Sequence, residues 1–81
     1  MDVKEIKLSN EEKDVMREIW DSVSLRAPHA LTKLPHNIGS EKAPIGDRLE
    51  IRGLLKRGSA DIGSYQLTEL GKEYCISYFF E

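Results

Sequence analysis

Cysteine and histidine are scarce in this sequence of 81 residues, which contains one cysteine, Cys75, and two histidines, His29 and His36. A single cysteine excludes both an internal disulfide and a zinc site built from several cysteines. Neither histidine has a cysteine or a second histidine at metal-ligand spacing. A Gly-rich phosphate loop and a nucleophile elbow are also missing. We therefore expect a protein that is not an enzyme and that needs no cofactor.

Long apolar runs are missing as well, so the sequence predicts no transmembrane helix and no membrane partner. The charged N-terminus, Met1 to Glu5, lacks the apolar core of a signal peptide. These two absences favour a cytoplasmic protein. The length predicts one domain over residues 1–81, which buries only roughly 60 % of its unfolded surface and leaves little room for a deep cleft.

The net charge of −2 does not by itself indicate a nucleic-acid-binding protein, but the charges are unevenly distributed. Residues 26–57 contain seven basic and three acidic side chains, a net charge of +4, and the remainder carries −6 from five basic and eleven acidic side chains. A basic middle with acidic flanks is typical of a DNA-facing surface on an acidic scaffold. Chance clustering on a solvated face explains the same pattern.

A helix over about residues 10–24 is predicted by its cap and its apolar spacing. Ser9 and Glu12 stand at the two positions of a capping box. The apolar residues that follow share one helical face and include Trp20, which we expect in the core; they are Val15, Met16, Ile19, Trp20 and Val23. Residues 1–8, which precede this helix, are predicted to form a short strand or a loose arm.

A second helix is predicted over about residues 33–38, because Thr32 can cap it and Pro35 then lies in its first turn, where a missing N–H costs nothing. Gly39 supplies a left-handed stop for this helix. In the connector before it, residues 30–31 are expected to form a short β contact with a later hairpin.

A third helix is predicted over about residues 41–52, capped by Ser40, with Ile45 and Leu49 facing inward. This phase turns an apolar and acidic set of residues outward: Ala43, Pro44, Asp47, Glu50 and Ile51.

Turn residues follow this helix. A hairpin is predicted with its tip between residues 56 and 65, and Tyr65 and Leu67 share one face of its return strand. A C-terminal helix is predicted from about residue 69 to 79, within a C-terminal segment that reaches Phe80. The aromatic end of this helix is expected either to cover the core or to form a dimer surface.

The order of these elements, from Ser9 to Cys75, resembles the winged-helix domains of small prokaryotic regulators of the MarR and PadR type. The resemblance is carried by Gly53-Leu54-Leu55-Lys56-Arg57 and, most specifically, by Leu67-Thr68-Glu69-Leu70-Gly71. It implies that Thr68 caps the C-terminal helix. It implies an α+β, mainly α fold: a winged helix-turn-helix with a three-helix core, a short two-stranded wing and a C-terminal helix. The sequence departs from the family pattern at Pro35 and Arg48.

The resemblance implies a small DNA-binding transcription regulator whose partner is double-stranded DNA. In such a domain the helix at about 41–52 enters the major groove and the wing, residues 56–65, contacts the neighbouring backbone. A homodimer through helix 1 or the C-terminal helix is also expected. Carried over residue by residue, the DNA-binding positions are Lys33, Ser40, Lys42, Arg48, Lys56, Arg57 and Ser64.

A second hypothesis is a winged-helix module that binds protein and does not read bases. It is favoured by the outward face of the third helix, because phosphates repel Asp47 and Glu50 and base edges need donors that this face lacks. Ile51, if exposed, suits a protein contact. The fold alone does not decide between the two hypotheses.

Overall fold

A small three-stranded antiparallel sheet lies with three α-helices in the part of the chain that the computed structural model describes, residues 3–79. The α+β class is therefore as predicted. A 3-10 turn over Val3–Glu5 precedes the first helix. The elements are α1 (Asn10–Arg26), β1 (His36–Asn37), α2 (Ala43–Ile51), β2 (Leu55–Arg57), β3 (Ser64–Leu67) and α3 (Glu69–Phe79).

Helix α1 begins with the predicted capping box. The Ser9 hydroxyl accepts from the Glu12 amide at 3.2 Å, and the Glu12 carboxylate accepts from the Ser9 amide at 3.0 Å. The backbone hydrogen bond from Ser9 lowers the pKa of Glu12 below its usual value, against the opposing effect of burial. The predicted apolar face is buried, Trp20 included, and the helix ends at Arg26, just before Pro28.

The predicted helix over 33–38 is wrong. Residues 31–33 form a turn, and His36 and Asn37 form strand β1, which pairs with Tyr65 and Ser64 of β3. The sheet satisfies the backbone here, because the Ile38 amide donates to the Gly63 carbonyl at 2.8 Å. A six-residue helix has no such partner for most of its amides. The first helix of a helix-turn-helix is therefore absent from the described residues.

The sheet has the order β1-β3-β2, so the predicted two-stranded wing carries a third strand. This third strand replaces the predicted β contact at residues 30–31. In the hairpin, Leu55 pairs with Leu67 and Arg57 pairs with Tyr65. Because alternate residues of a strand share a face, Leu55, Tyr65 and Leu67 all turn inward, and all three are buried as the alternation predicted.

Helix α2 is shorter than predicted, and it is rotated about its axis relative to the predicted orientation. It begins at Ala43 after Lys42, whose side chain makes no capping hydrogen bond, so Ser40 is not the cap. Ala43 is buried rather than outward-facing, and Ile45 is only half-buried. Gly46 explains which side of α2 faces inward. A β-carbon at this position would lie 2.5 Å from the Tyr65 ring, so the side of the helix that contains Gly46 approaches the sheet most closely.

The junction before α3 confirms the predicted cap at Thr68. Its hydroxyl accepts from the Gly71 amide at 3.0 Å and donates to the Gly53 carbonyl. A β-carbon on Gly71 would lie 2.0 Å from the Leu54 carbonyl oxygen. Only glycine therefore permits α3 to pass this close to the start of the hairpin.

Both ends of the described chain pack on the core. Ile6 and Leu8 are buried, so residues 3–8 form neither a loose arm nor a strand. The Tyr78 hydroxyl donates to the Lys4 carbonyl at 3.1 Å. Tyr78 also stacks on buried Tyr74 at 4.5 Å. The aromatic end of α3 therefore covers the core up to Phe79, and Phe80 lies outside the described residues.

We expect Gly71→Ala to lower the free energy of unfolding by about 1–3 kcal/mol, because the new methyl group meets a backbone carbonyl that cannot rotate away. Urea unfolding followed by circular dichroism measures the change. Ser77→Ala, at an exposed position of the same helix, is the matched control and should be neutral or slightly stabilising. A Gly71→Ala variant as stable as wild type would contradict this close contact.

Candidate nucleic-acid interface

The predicted DNA-binding residues fall into three groups. Lys56 and Arg57, which we call the hairpin cations, lie on β2, and Lys33 lies in the turn over residues 31–33. Lys42 and Arg48, which we call the α2 cations, lie at the start and on the surface of α2, with Ser40 in the turn before it. Ser64 lies in β3.

The hairpin cations are exposed on an edge strand of the sheet. Arg57 holds its guanidinium 5.9 Å from the centre of the Tyr65 ring. Because neighbouring strand residues point to opposite faces, Lys56 projects away from this ring. Within residues 3–79, Lys56 has no ion-pair partner.

Lys33 lies beside the same strands. The Gln66 side chain, directly across from Lys56, donates to the Thr32 carbonyl at 2.9 Å and so attaches the connector to β3. Lys33 is exposed and makes no ion pair with any described residue. Lys33 and Lys56 are therefore two solvated positive charges, one in the connector and one on the hairpin.

The α2 cations, in contrast, are paired with carboxylates of α1. The Lys42 ammonium lies 2.8 Å from Glu18, and the Arg48 guanidinium lies 3.6 Å from Glu11. His36 Nε2 contacts the second oxygen of Glu18 at 2.9 Å.

These contacts shift the ionisation of both partners. Burial raises the pKa of Glu18, but hydrogen bonds from Lys42 and His36 outweigh it and leave that pKa below its usual value. The Glu18 carboxylate in turn raises the pKa of Lys42. The carboxylates of α1 thus neutralise the α2 cations, the two positive charges that the resemblance would place nearest the DNA bases.

Ser64 is poorly placed for the predicted contact with DNA. Its side chain is only 5 % exposed and lies in the central strand of the sheet, beside Gly58. Burial of its hydroxyl disfavours a contact with a phosphate. Ser40 is exposed, as its predicted contact with DNA requires.

The exposed stripe of α2 consists of Pro44, Arg48 and Ile51. Asp47 and Glu50 are half-buried on the side of the helix that faces the sheet. Ile51 is 86 % exposed, as the predicted outward face required. Arg48 is the one hydrogen-bond donor side chain in this stripe, so α2 offers little for reading base edges.

Tyr65 joins α2 to the sheet, a contact that no local sequence pattern predicts. Its hydroxyl donates to the Ala43 carbonyl at 3.0 Å and also contacts the Asp47 carboxylate. Burial, followed by the contact with Asp47, raises the pKa of Tyr65 to about 12. The contacts that orient α2 against the hairpin are therefore made by a neutral Tyr65 phenol.

Other features of the described residues offer little chemistry. An open cavity of about 280 Å³ lies between residues 28–33 and the start of α3, where Lys72 pairs with Glu69 at 3.0 Å.

Burial raises the pKa of the Cys75 thiol to about 12, so this thiol is protonated at neutral pH. Residues 3–79 contain no group of three or more side chains suited to a metal ion, and none of their helices has the length and apolarity to cross a bilayer.

No family model matches the chain, and comparison with curated proteins and with solved structures yields no match, so the resemblance to winged-helix regulators stays a prediction.

Tyr65→Phe is expected to cost about 1–2 kcal/mol at neutral pH, because it leaves the Ala43 carbonyl and Asp47 without their donor. The folded state holds the phenol proton more tightly than the unfolded chain does. The contribution of Tyr65 is thus complete below about pH 10 and is lost as the pH rises toward about 12.

Urea unfolding of both proteins across this range should therefore show the difference between wild type and Tyr65→Phe shrinking as the pH rises. Tyr78→Phe is the matched control, since its exposed hydroxyl bonds only the Lys4 carbonyl, and should cost about 0.5 kcal/mol or less. An equal cost for the two substitutions would contradict the role of Tyr65 in holding α2.

Proposed function

We propose that this chain is a winged-helix-like DNA-binding domain of a small transcription regulator, and that it binds the DNA backbone mainly through its hairpin. The observation that carries the proposal is the pair of hairpin cations, Lys56 and Arg57, exposed on the strand that directly follows α2. Lys33, in the connector that Gln66 of β3 holds through the Thr32 carbonyl, adds a third exposed positive charge. Backbone phosphates supply most of the affinity of proteins for DNA, and they are bound by such cations.

The order of the elements supports the winged-helix part of the proposal. Helix α2, the hairpin β2–β3 and helix α3 follow one another as the resemblance implies, with Thr68 at the predicted junction. The absent helix over 33–38 is the main departure, and turns and β1 take its place. In this arrangement the hairpin is the wing, and α2 takes the place of the recognition helix.

Base reading has little support in α2. Its exposed stripe contains one cation, Arg48, which is paired with Glu11. Specific contacts to base edges commonly use Arg, Lys, Asn or Gln in bidentate geometry. The proposed domain therefore binds DNA with weak sequence preference, and a homodimer would be needed to add a second set of phosphate contacts.

The alternative function, a module that binds another protein, is favoured by Ile51. Ile51 is 86 % exposed at the end of α2, and Arg52, the next residue, is exposed as well. Isolated exposed apolar residues are common, so one isoleucine does not define an interface. Protein binding is therefore the less favoured of the two proposed functions.

Lys56→Ala should weaken binding to a random-sequence DNA duplex and reduce the salt slope of the binding constant by about one, because one phosphate contact is lost. Fluorescence anisotropy over a series of salt concentrations measures both quantities. Lys13→Ala, which removes an exposed lysine from α1, is the matched control and should leave the slope unchanged. Equal slopes for Lys56→Ala and wild type would contradict the proposed role of the hairpin.

Ile51→Asp should stay folded, with a free energy of unfolding within about 0.5 kcal/mol of wild type, because this side chain is solvent-exposed. Leu49→Asp, which places a charge at a fully buried position of the same helix, should unfold the domain. If the protein-binding alternative is right, Ile51→Asp abolishes recovery of a partner that wild type captures. An unfolded Ile51→Asp variant would show that the outward face of α2 is assigned incorrectly.

A further inference from the structure

Three different elements converge on one carboxylate beside the start of α2. Glu18 comes from α1, His36 from β1 and Lys42 from the turn before α2. Lys42 Nζ lies 2.8 Å from one oxygen of Glu18, and His36 Nε2 lies 2.9 Å from the other. Each oxygen of one anionic group thus contacts a different nitrogen, and we call these three residues the Glu18 cluster.

A phosphate can replace a carboxylate in this geometry. Both groups present two terminal oxygens to a pair of N–H donors, and charge-assisted hydrogen bonds of this kind form equally with either group. The position also suits an anion, because it adjoins the N-terminus of α2, whose first turn contains no acidic residue. Glu18 therefore fills a site whose other members are suited to a phosphate.

Glu18 is also able to leave. Its side chain is 34 % exposed and belongs to none of the buried positions of α1. Ion pairs at such exposure are weak, because water competes for both partners. Rotation of this side chain into solvent leaves the buried face of α1 unchanged, so the cost of freeing Lys42 and His36 is small.

We propose that His36 and Lys42 form a phosphate-binding site that Glu18 occupies in the free protein, and that a phosphate of the DNA backbone displaces it. The inference rests on the proposed function for the identity of the ligand. Glu18 then acts as an internal competitor that lowers the affinity for DNA. The Glu11–Arg48 pair is a second, looser contact of the same kind between α1 and α2.

The first test compares the DNA affinity of Glu18→Gln with that of wild type by fluorescence anisotropy on a random-sequence duplex. Glu18→Gln should bind several-fold more tightly, and its salt slope should steepen by about one, because one more phosphate is neutralised. The same change in a Lys42→Ala background should have no effect. Asp21→Asn is the matched control, since it removes a charge from α1 that pairs only with Arg17, at 3.8 Å.

The second test does not depend on DNA. Inorganic phosphate is titrated into the full chain while the His36 ring resonances are followed by NMR. In Glu18→Gln these resonances should move and saturate at lower phosphate than in wild type, and Glu18→Gln/Lys42→Ala should lose this response. Glu18→Asp, which retains the charge but withdraws the carboxylate, should shift the response in the same direction by less, and it replaces Glu18→Gln if that variant does not fold.

The two tests separate the two proposals. A phosphate response without DNA binding supports the Glu18 cluster as an anion site and overturns the proposed function. DNA binding that is equal in wild type, Glu18→Gln and Asp21→Asn, with no phosphate response at His36, overturns the inference and leaves the proposed function standing. An equal gain in Glu18→Gln and Asp21→Asn also overturns it, since the effect is then one of net charge.

Discussion

The close approach of Gly71 to the Leu54 carbonyl is the constraint on which the arrangement of helix α3 and the hairpin depends. A β-carbon at residue 71 would meet that oxygen at 2.0 Å, so the distance between the two elements is set by the absence of a side chain. Thr68 secures the same point, since its amide donates to Leu54 and its hydroxyl donates to Gly53. These contacts fix the direction of the hairpin relative to α3, and the hairpin cations project from this fixed position.

Charge pairing makes two of the cations less available to a partner in the free protein. The acidic face of α1 holds Lys42 and Arg48 through Glu18 and Glu11, whereas Lys56 has no ion-pair partner within residues 3–79. A net charge of −2 is compatible with binding to DNA in this arrangement, because Lys56 and Arg57 are exposed and make no ion pair within residues 3–79. The proposed binding surface thus lies mainly on the hairpin and not on α2.

The sequence predicted the elements that depend on neighbouring residues. The capping box of Ser9 and Glu12 and the cap at Thr68 are local hydrogen bonds, and both are present as predicted. The helix over 33–38 was wrong because the backbone of β1 is satisfied by β3, far along the chain, and no local pattern encodes that pairing. The Glu18 cluster escaped prediction for the same reason, since Glu18 lies 18 residues from His36 and 24 from Lys42.

The salt dependence of wild-type binding to a random-sequence duplex distinguishes phosphate contacts by the hairpin from the binding of a protein partner. If Lys33, Lys56 and Arg57 each neutralise one phosphate, the affinity measured by fluorescence anisotropy should fall about 40-fold between about 50 mM and about 200 mM salt. An absence of binding at the lower salt concentration, or an affinity that is the same at both, would contradict phosphate contacts by the hairpin and favour a protein partner.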